Sequence, residues 1–313
     1  MTKVFIDGSA GTTGLRIHER LSARSDLTLV TLPEETRKDL HARQDAINSA
    51  DIAFLCLPDA AAVEAVSLVE NDHTAIIDTS TAHRTAPGWV YGFPELPGKR
   101  EAIAASKRIA NPGCHASGFI ALVAPLVLAG LLAPDTALTC FSLTGYSGGG
   151  KKMIAEYEAP DRSPLLSAPR QYGLSQQHKH LPEMAAVSGL TIPPAFCPIV
   201  ADFYSGMEVT VPVFSRDLKG SADDVAAVYR RLYSGPIVHF DGDAAEGSFL
   251  SAAAFSGRDD MQITVSGNAD RILLTARFDN LGKGASGAAI QNMNLLLGVG
   301  ETTGLNVGIN VGI

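Results

Sequence analysis

Lys3-Val4-Phe5-Ile6-Asp7-Gly8-Ser9-Ala10-Gly11-Thr12-Thr13-Gly14 opens the chain with a short apolar run, an acid and three glycines at G-x-x-G-x-x-G spacing. The apolar run reads as a strand, and residues 15–21 that follow have helical character. A glycine-rich turn between a first strand and a first helix lets backbone approach a pyrophosphate. The helix start adds N–H donors and a favourable potential. Gly8, Ser9, Ala10, Gly11, Thr12, Thr13 and Gly14 are therefore candidate cofactor contacts. The spacing departs from the commoner G-x-G-x-x-G, and an ordinary strand–helix turn is the rival reading.

Working outward, residues 27–32 read as a second strand and 51–58 as a buried strand stopped by Pro58. Residues 60–69 read as a small-residue helix and 75–78 as a further strand. Strands alternating with helices predict parallel βαβ units in a doubly wound sheet. Beyond Pro134 the texture changes. Residues 136–144, 207–214 and 272–278 are longer β-rich segments, and 222–233 reads as a helix, which predicts a second domain with a mixed or antiparallel sheet. Residues 285–297 resume helical spacing and predict a terminal helix that returns to the first domain. The expected division is 1–114, 115–284 and 285–313. The tail repeats Asn-Val-Gly-Ile at 306–309 and 310–313, too short for a solenoid, and is assigned no function.

Composition narrows the function classes. The 313 residues are 46% hydrophobic and 19% charged, which suits a compact protein with a sizeable core. A formal net charge of −8 argues against nucleic acid or an anionic membrane as partner. Cys56, Cys114, Cys140 and Cys197 show no Cys-x-x-Cys spacing, a pattern suited to a reducing cytoplasm. A strand-like run from residue 3 leaves no room for a signal peptide, and residues 119–132 are too short to span a bilayer.

Charged and polar clusters supply further candidates. Past the second strand stand Glu34 and Glu35, then Arg37 and Lys38. An acid there suits the ribose of NAD, whereas cations suit the 2′-phosphate of NADP. The reading favours NADP through Arg37 and Lys38, with a solvated loop as the alternative. Asp78-Thr79-Ser80-Thr81-Ala82-His83-Arg84 follows a strand whose carboxyl end should face a ligand crevice. Arg84 there suits a phosphate or carboxylate, or is a surface arginine. Gly145-Tyr146-Ser147-Gly148-Gly149-Gly150-Lys151-Lys152 joins glycines to cations, as an anion site or as a flexible loop. In Gln177-His178-Lys179-His180-Leu181-Pro182-Glu183 either histidine is a candidate proton carrier. Its H-x-H spacing invites a metal, but no third ligand is evident nearby.

Cys114 lies in Asn111-Pro112-Gly113-Cys114-His115, directly before an apolar stretch. Unpaired N–H groups and the dipole at a helix start favour an anion, and so favour a thiolate there. The bland alternative is a small apolar residue at the start of a core helix.

Together these segments resemble the N-acetyl-γ-glutamyl-phosphate reductases of arginine biosynthesis, in their shorter form, which are related to aspartate-semialdehyde dehydrogenases. The phosphate loop, 78–84, Tyr91-Gly92-Phe93-Pro94-Glu95-Leu96, 111–114, 145–152, 178–183 and Lys283-Gly284-Ala285-Ser286-Gly287 follow the family's order. The chain departs from longer relatives after Thr144, and in carrying His115 rather than tyrosine after the cysteine. The resemblance implies a Rossmann-type domain, a second α+β substrate and dimerisation domain, and a homo-oligomer, dimer or tetramer. It implies NADPH as reductant, an acyl phosphate or semialdehyde as substrate, and inorganic phosphate as product.

Carried over residue by residue, it makes Cys114 the nucleophile, with His180 preferred over His178 as proton donor. It assigns cofactor contacts to 8–14, Ser80, Gly148, Lys283 and Gly284, and substrate contacts to Arg84, Lys151 and Glu183, without a metal. Two rivals remain. One is an aspartate-semialdehyde dehydrogenase or related enzyme. The other is a non-catalytic NADP-binding redox sensor in which Cys114 is an oxidisable switch.

Overall fold

The computed structural model describes residues 1–308; Ile309 and the second copy of the tail repeat lie outside the described residues. In chain order the elements begin β1 (Thr2–Asp7), α1 (Thr12–Ser22), β2 (Leu27–Val30), α2 (Leu40–Ser49), β3 (Ile52–Leu55), α3 (Asp59–Ser67) and β4 (Ala75–Asp78). Then come β5 (Val90–Tyr91), α4 (Lys99–Ala105), β6 (Arg108–Ala110), α5 (Cys114–Leu128), β7 (Thr139–Gly145), α6 (Gly150–Glu158) and β8 (Arg170–Gln171). The chain continues through α7 (Leu181–Ser188), β9 (Ala195–Ala201), β10 (Met207–Phe214), α8 (Ala222–Leu232) and β11 (Val238–Phe240). It closes with β12 (Met261–Gly267), β13 (Arg271–Phe278) and α9 (Gly287–Leu297). Two compact units result: Met1–Pro112 with Ala285–Leu305, and Gly113–Gly284 with the described residues from Asn306. The first boundary thus falls after Pro112, two residues before the expected one, so Cys114 belongs to the second unit.

The first unit is a doubly wound parallel sheet in the order β2-β1-β3-β4-β6-β5. Alternation along β1 explains the two covered faces. Val4 and Ile6 meet Ile17 and Leu21 of α1 and Ala289, Ile290 and Met293 of α9 on one side. Phe5 meets Ala46 and Ile47 of α2 and Ala62 and Ala65 of α3 on the other. The predicted terminal helix therefore does return to the first unit, where it packs on α4 and α1.

The second unit is a mixed sheet in the order β11-β12-β13-β10-β7-β9-β8. β10 pairs antiparallel with β13 and β7, whereas β7 and β9 are parallel. Helix α5 is buried almost all round, so apolar residues fill nearly every position rather than one stripe. Pro125 inside it cannot donate to the Ala121 carbonyl. The Tyr233 hydroxyl donates to that carbonyl instead at 2.7 Å, and Tyr229 donates to the Leu122 carbonyl. The glycine-rich segment after β7, read as a flexible loop or anion site, forms a 3₁₀ turn over Tyr146–Gly149 and then α6.

Candidate functional site

In the first unit, β1 delivers Asp7 and then Gly8, whose φ of +85° is left-handed. A Cβ on Gly8 would collide with the Cys56 carbonyl oxygen, and one on Gly14 with the Gly8 carbonyl oxygen. The glycines are required by backbone packing at both points. The Gly11 N–H donates to the Gly8 carbonyl at 3.0 Å, closing the turn. Helix α1 then starts at Thr12 with Gly11 as cap and no side-chain cap. Amide N–H groups of that first turn stay available for an anion.

Beside this turn lies a cavity of about 650 Å³. Gly8, Ser9, Ala10 and Gly11 line one wall, the end of β2 with Glu34, Arg37 and Lys38 another, and Cys56, Leu57 and Pro58 after β3 a third. Thr12, Thr13 and Gly14 belong to the first turn of α1. Arg37 and Lys38 are exposed, and Arg37 lies 3.0 Å from Glu34. Two residues that the sequence does not mark as site candidates also line the cavity, Asp7 and Arg43, joined by a buried ion pair of 3.0 Å. Burial, the largest effect, pushes the Asp7 carboxyl up, opposed by Arg43. Pattern alone could not pair them, because 36 residues separate them in the chain.

The turn after β4 organises itself around Asp78, which is fully buried. The Ser80 hydroxyl donates to Asp78 Oδ2 at 2.7 Å, and His83 Nδ1 lies 2.6 Å from the same oxygen. Arg84 spends Nε on the Asn111 carbonyl and Nη2 on the Thr79 carbonyl, at 3.0 and 3.1 Å. These bonds tie Arg84 to the ends of two neighbouring strands. Ser80 is absent from the lining of the cavity beside the glycine turn.

In the second unit, Cys114 is the first residue of α5, and Gly113 caps the helix. The Gly113 N–H donates to Glu183 Oε2 at 3.2 Å. Glu183 sits in the first turn of α7, buried, and His180 is the cap of that helix. His180 Nε2 lies 4.0 Å from Glu183 Oε1, and His178 Nδ1 accepts from the His180 N–H at 3.3 Å. Gly284 lies so near that a Cβ on it would stand 3.0 Å from Cys114 Cβ. It belongs to a π-helical turn, Gly282–Ser286, that also carries the buried Lys283. Cys114, His178, His180, Glu183 and Gly284 are thus gathered from separated segments. Gly148 and Lys151, also predicted for the site, are exposed.

A polar chain beside the cysteine went unread in the sequence. His115 Nδ1 lies 2.6 Å from the Ser142 hydroxyl, and Nε2 lies 2.6 Å from the Tyr172 hydroxyl. The His115 ring centroid is 5.8 Å from that of His178 and 5.5 Å from that of His180. Burial, aided by His178, pushes His115 down to about 3, so it is neutral at physiological pH. Burial also pushes the Tyr172 phenol up, with the Cys114 charge adding to it. His178 is lowered by burial and then by Lys179. The signal available was His115 itself, a polar residue inside an apolar helix. Among the described residues no group of three or more His, Cys, Asp or Glu could hold a metal ion. No helix among them is long and apolar enough to cross a membrane.

Residues 3–106 match the family model described as semialdehyde dehydrogenase, NAD binding domain. Residues 114–280 match semialdehyde dehydrogenase, dimerisation domain. The chain is 45% identical to N-acetyl-gamma-glutamyl-phosphate reductase 2 of Nostoc sp. over 97% of its length and 99% of the relative's. It is 47% identical to the enzyme of that name in Pseudomonas putida, over 96% and 98% of the two chains. Among solved structures, aspartate semialdehyde dehydrogenase II from Vibrio cholerae superposes with a TM-score of 0.71 at 18% identity, covering 95% of this chain and 98% of that one. An aspartate semialdehyde dehydrogenase with NADP from Candida albicans superposes with a TM-score of 0.65 at 16% identity, covering 95% and 98%. At such identities these structures speak for the fold alone. The two matched domains and the near full-length identity agree, and the chain belongs to the N-acetyl-gamma-glutamyl-phosphate reductase family of NAD(P)-binding semialdehyde dehydrogenases.

Proposed function

We propose that the protein reduces N-acetyl-γ-glutamyl phosphate to N-acetylglutamate semialdehyde with NADPH, in arginine biosynthesis in the cytoplasm, through a thioester on Cys114. The observation that carries this reading is Cys114 at the first position of α5, beside the capping turn of α7. Helix-start amides favour the thiolate over the thiol. The thiolate attacks the acyl carbon, the C–S bond forms and the C–O bond to phosphate breaks, releasing inorganic phosphate. Bound NADPH supplies the hydride that turns the thioester into a thiohemiacetal. Its oxygen is protonated from a histidine of the 178–180 turn, with His180 preferred because it caps α7 beside Glu183. The same histidine then takes that proton back as the C–S bond breaks, which releases the aldehyde and returns the thiolate. Glu183 holds the Gly113 amide and so positions the turn that bears the nucleophile.

The glycine turn and its cavity fit a dinucleotide. Two positions exclude any Cβ, and a helix start without a side-chain cap offers its amides to an anion. Arg37 and Lys38 supply the positive charge suited to a 2′-phosphate. Arg84 and Lys151 remain candidates for the substrate phosphate. An oligomer built on the second sheet is supported by its half-open face. Phe141, Phe214 and Leu273 are exposed there, on strands whose alternate residues are buried.

The test is the reverse reaction. Purified protein should reduce NADP with N-acetylglutamate semialdehyde only when inorganic phosphate is present. Turnover with aspartate semialdehyde instead would reassign the substrate.

A further inference from the structure

We infer that Arg43 recognises the adenosine moiety shared by NADP and NAD, donating from a guanidinium nitrogen that the folded protein leaves without an acceptor. The inference rests on the cofactor reading above and adds a residue to it. Arg43 projects from α2, is only 7% exposed, and lines the cavity beside the glycine turn. Its Nε donates to Asp7 Oδ2 at 3.0 Å and its Nη1 to Glu64 Oε2 at 2.8 Å. Its Nη2 is buried with no hydrogen-bond partner. A charged donor withdrawn from water without an acceptor is costly, and proteins rarely leave one unless something else completes it. Arg43 lines the cavity while Nη2 itself is shielded, and a small rotation of the guanidinium toward a bound ligand would give Nη2 the acceptor it lacks.

Charge decides what kind of acceptor fits. Asp7 and Glu64 place two carboxylates on one guanidinium, so the group is locally negative. A phosphate dianion brought to Nη2 would meet both carboxylates, whereas an adenine ring nitrogen or a ribose hydroxyl would not. The cations suited to a 2′-phosphate are Arg37 and Lys38, exposed at the end of β2 on the same cavity. Holding the nucleoside and selecting NADP over NAD thus fall to different residues.

Calorimetric titration with NADPH, NADH and AMP tests this, with ligand-free thermal melts reporting on folding. Two variants are used, Arg43→Lys and the double Asp7→Asn/Arg43→Gln, the second removing both charges of the buried pair should the first not fold. The expected result is a loss of about tenfold or more in affinity for all three ligands, by similar factors, as for a lost charge-assisted hydrogen bond. Lys38→Ala should weaken NADPH alone. Loss confined to NADPH in the Arg43 variants would overturn the inference in favour of a 2′-phosphate contact. Unchanged affinity in a variant that melts like the parent would reduce Arg43 to a structural ion pair. If the parent binds neither dinucleotide, the cofactor reading falls as well.

Discussion

His115 Nε2 lies 2.6 Å from the Tyr172 hydroxyl, one residue along the chain from Cys114. With Ser142 on the other ring nitrogen at 2.6 Å, a neutral imidazole offers one donor and one acceptor to two hydroxyls. When Ser142 donates to Nδ1, Nε2–H donates to the phenol oxygen, and the phenol proton is left for another acceptor. The reverse order turns the phenol proton onto His115. Tyr172→Phe removes one partner and leaves Nε2 unsatisfied in a buried site, a loss of about 1–3 kcal/mol. Urea unfolding of the variant should show that loss, together with reduced turnover. A variant as stable as the parent would mean that the phenol is dispensable to this chain.

The same histidine makes stability depend on pH. Its folded value of about 3 lies below the ordinary 6.5, so between those limits the unfolded chain binds the extra proton. This contribution is fully present above about pH 6.5 and is lost progressively as pH falls toward 3. The slope approaches ~1.4 kcal/mol per pH unit within the window. Unfolding free energies measured at pH 7, 6, 5 and 4 should fall less steeply in His115→Phe than in the parent. Parallel curves would contradict a buried neutral imidazole.

Cys114 should be the reactive thiol. Burial pushes Cys56 up to about 12 and raises Cys140 as well, whereas the amides at the start of α5 favour a thiolate at Cys114. Iodoacetamide at neutral pH should label Cys114 before Cys56 and Cys140, as read by peptide mass spectrometry. Cys114→Ser should lower kcat by at least about a thousandfold. Retention of full activity would end the covalent mechanism.

His180→Asn should impair turnover more than His178→Asn, with kcat lower by about 10²–10⁴-fold if His180 carries the proton. The two rings lie 4.8 Å apart, and only His180 caps α7 next to Glu183. The opposite order in steady-state kinetics would exchange their roles.

Gly8→Ala should be destabilising whatever the cofactor does. It places a Cβ against the Cys56 carbonyl and forces an L residue to a φ of +85°. The left-handed conformation alone costs about 1–2 kcal/mol, and the collision adds to it. A lower melting temperature in ligand-free protein checks this, and an unchanged one would show that the turn relaxes.

Much of the architecture was legible locally. The run into Gly8, the strand at 75–78 and the strand at 207–214 declared themselves through apolar runs and alternation, which depend only on near neighbours. Short strands did not. β5, β8 and β11 have two or three residues each, too few for a period, and exist because an adjacent strand edge supplies their hydrogen bonds. Gly148 and Lys151, which the resemblance places in the site, are exposed on the turn and helix that follow β7.

The sequence by itself determined the glycine turn, the doubly wound character of the first unit, the cysteine at a helix start and the histidine pair that follows it. Each is a short segment whose conformation follows from its own glycines, apolar period or cap. Only the tertiary structure decided which distant groups meet. Arg43 finds Asp7 across 36 residues, Glu183 finds the Gly113 amide across 70, and Tyr172 finds His115 across 57. These are buried polar contacts, and burial leaves each donor and acceptor dependent on whatever partner the packing delivers.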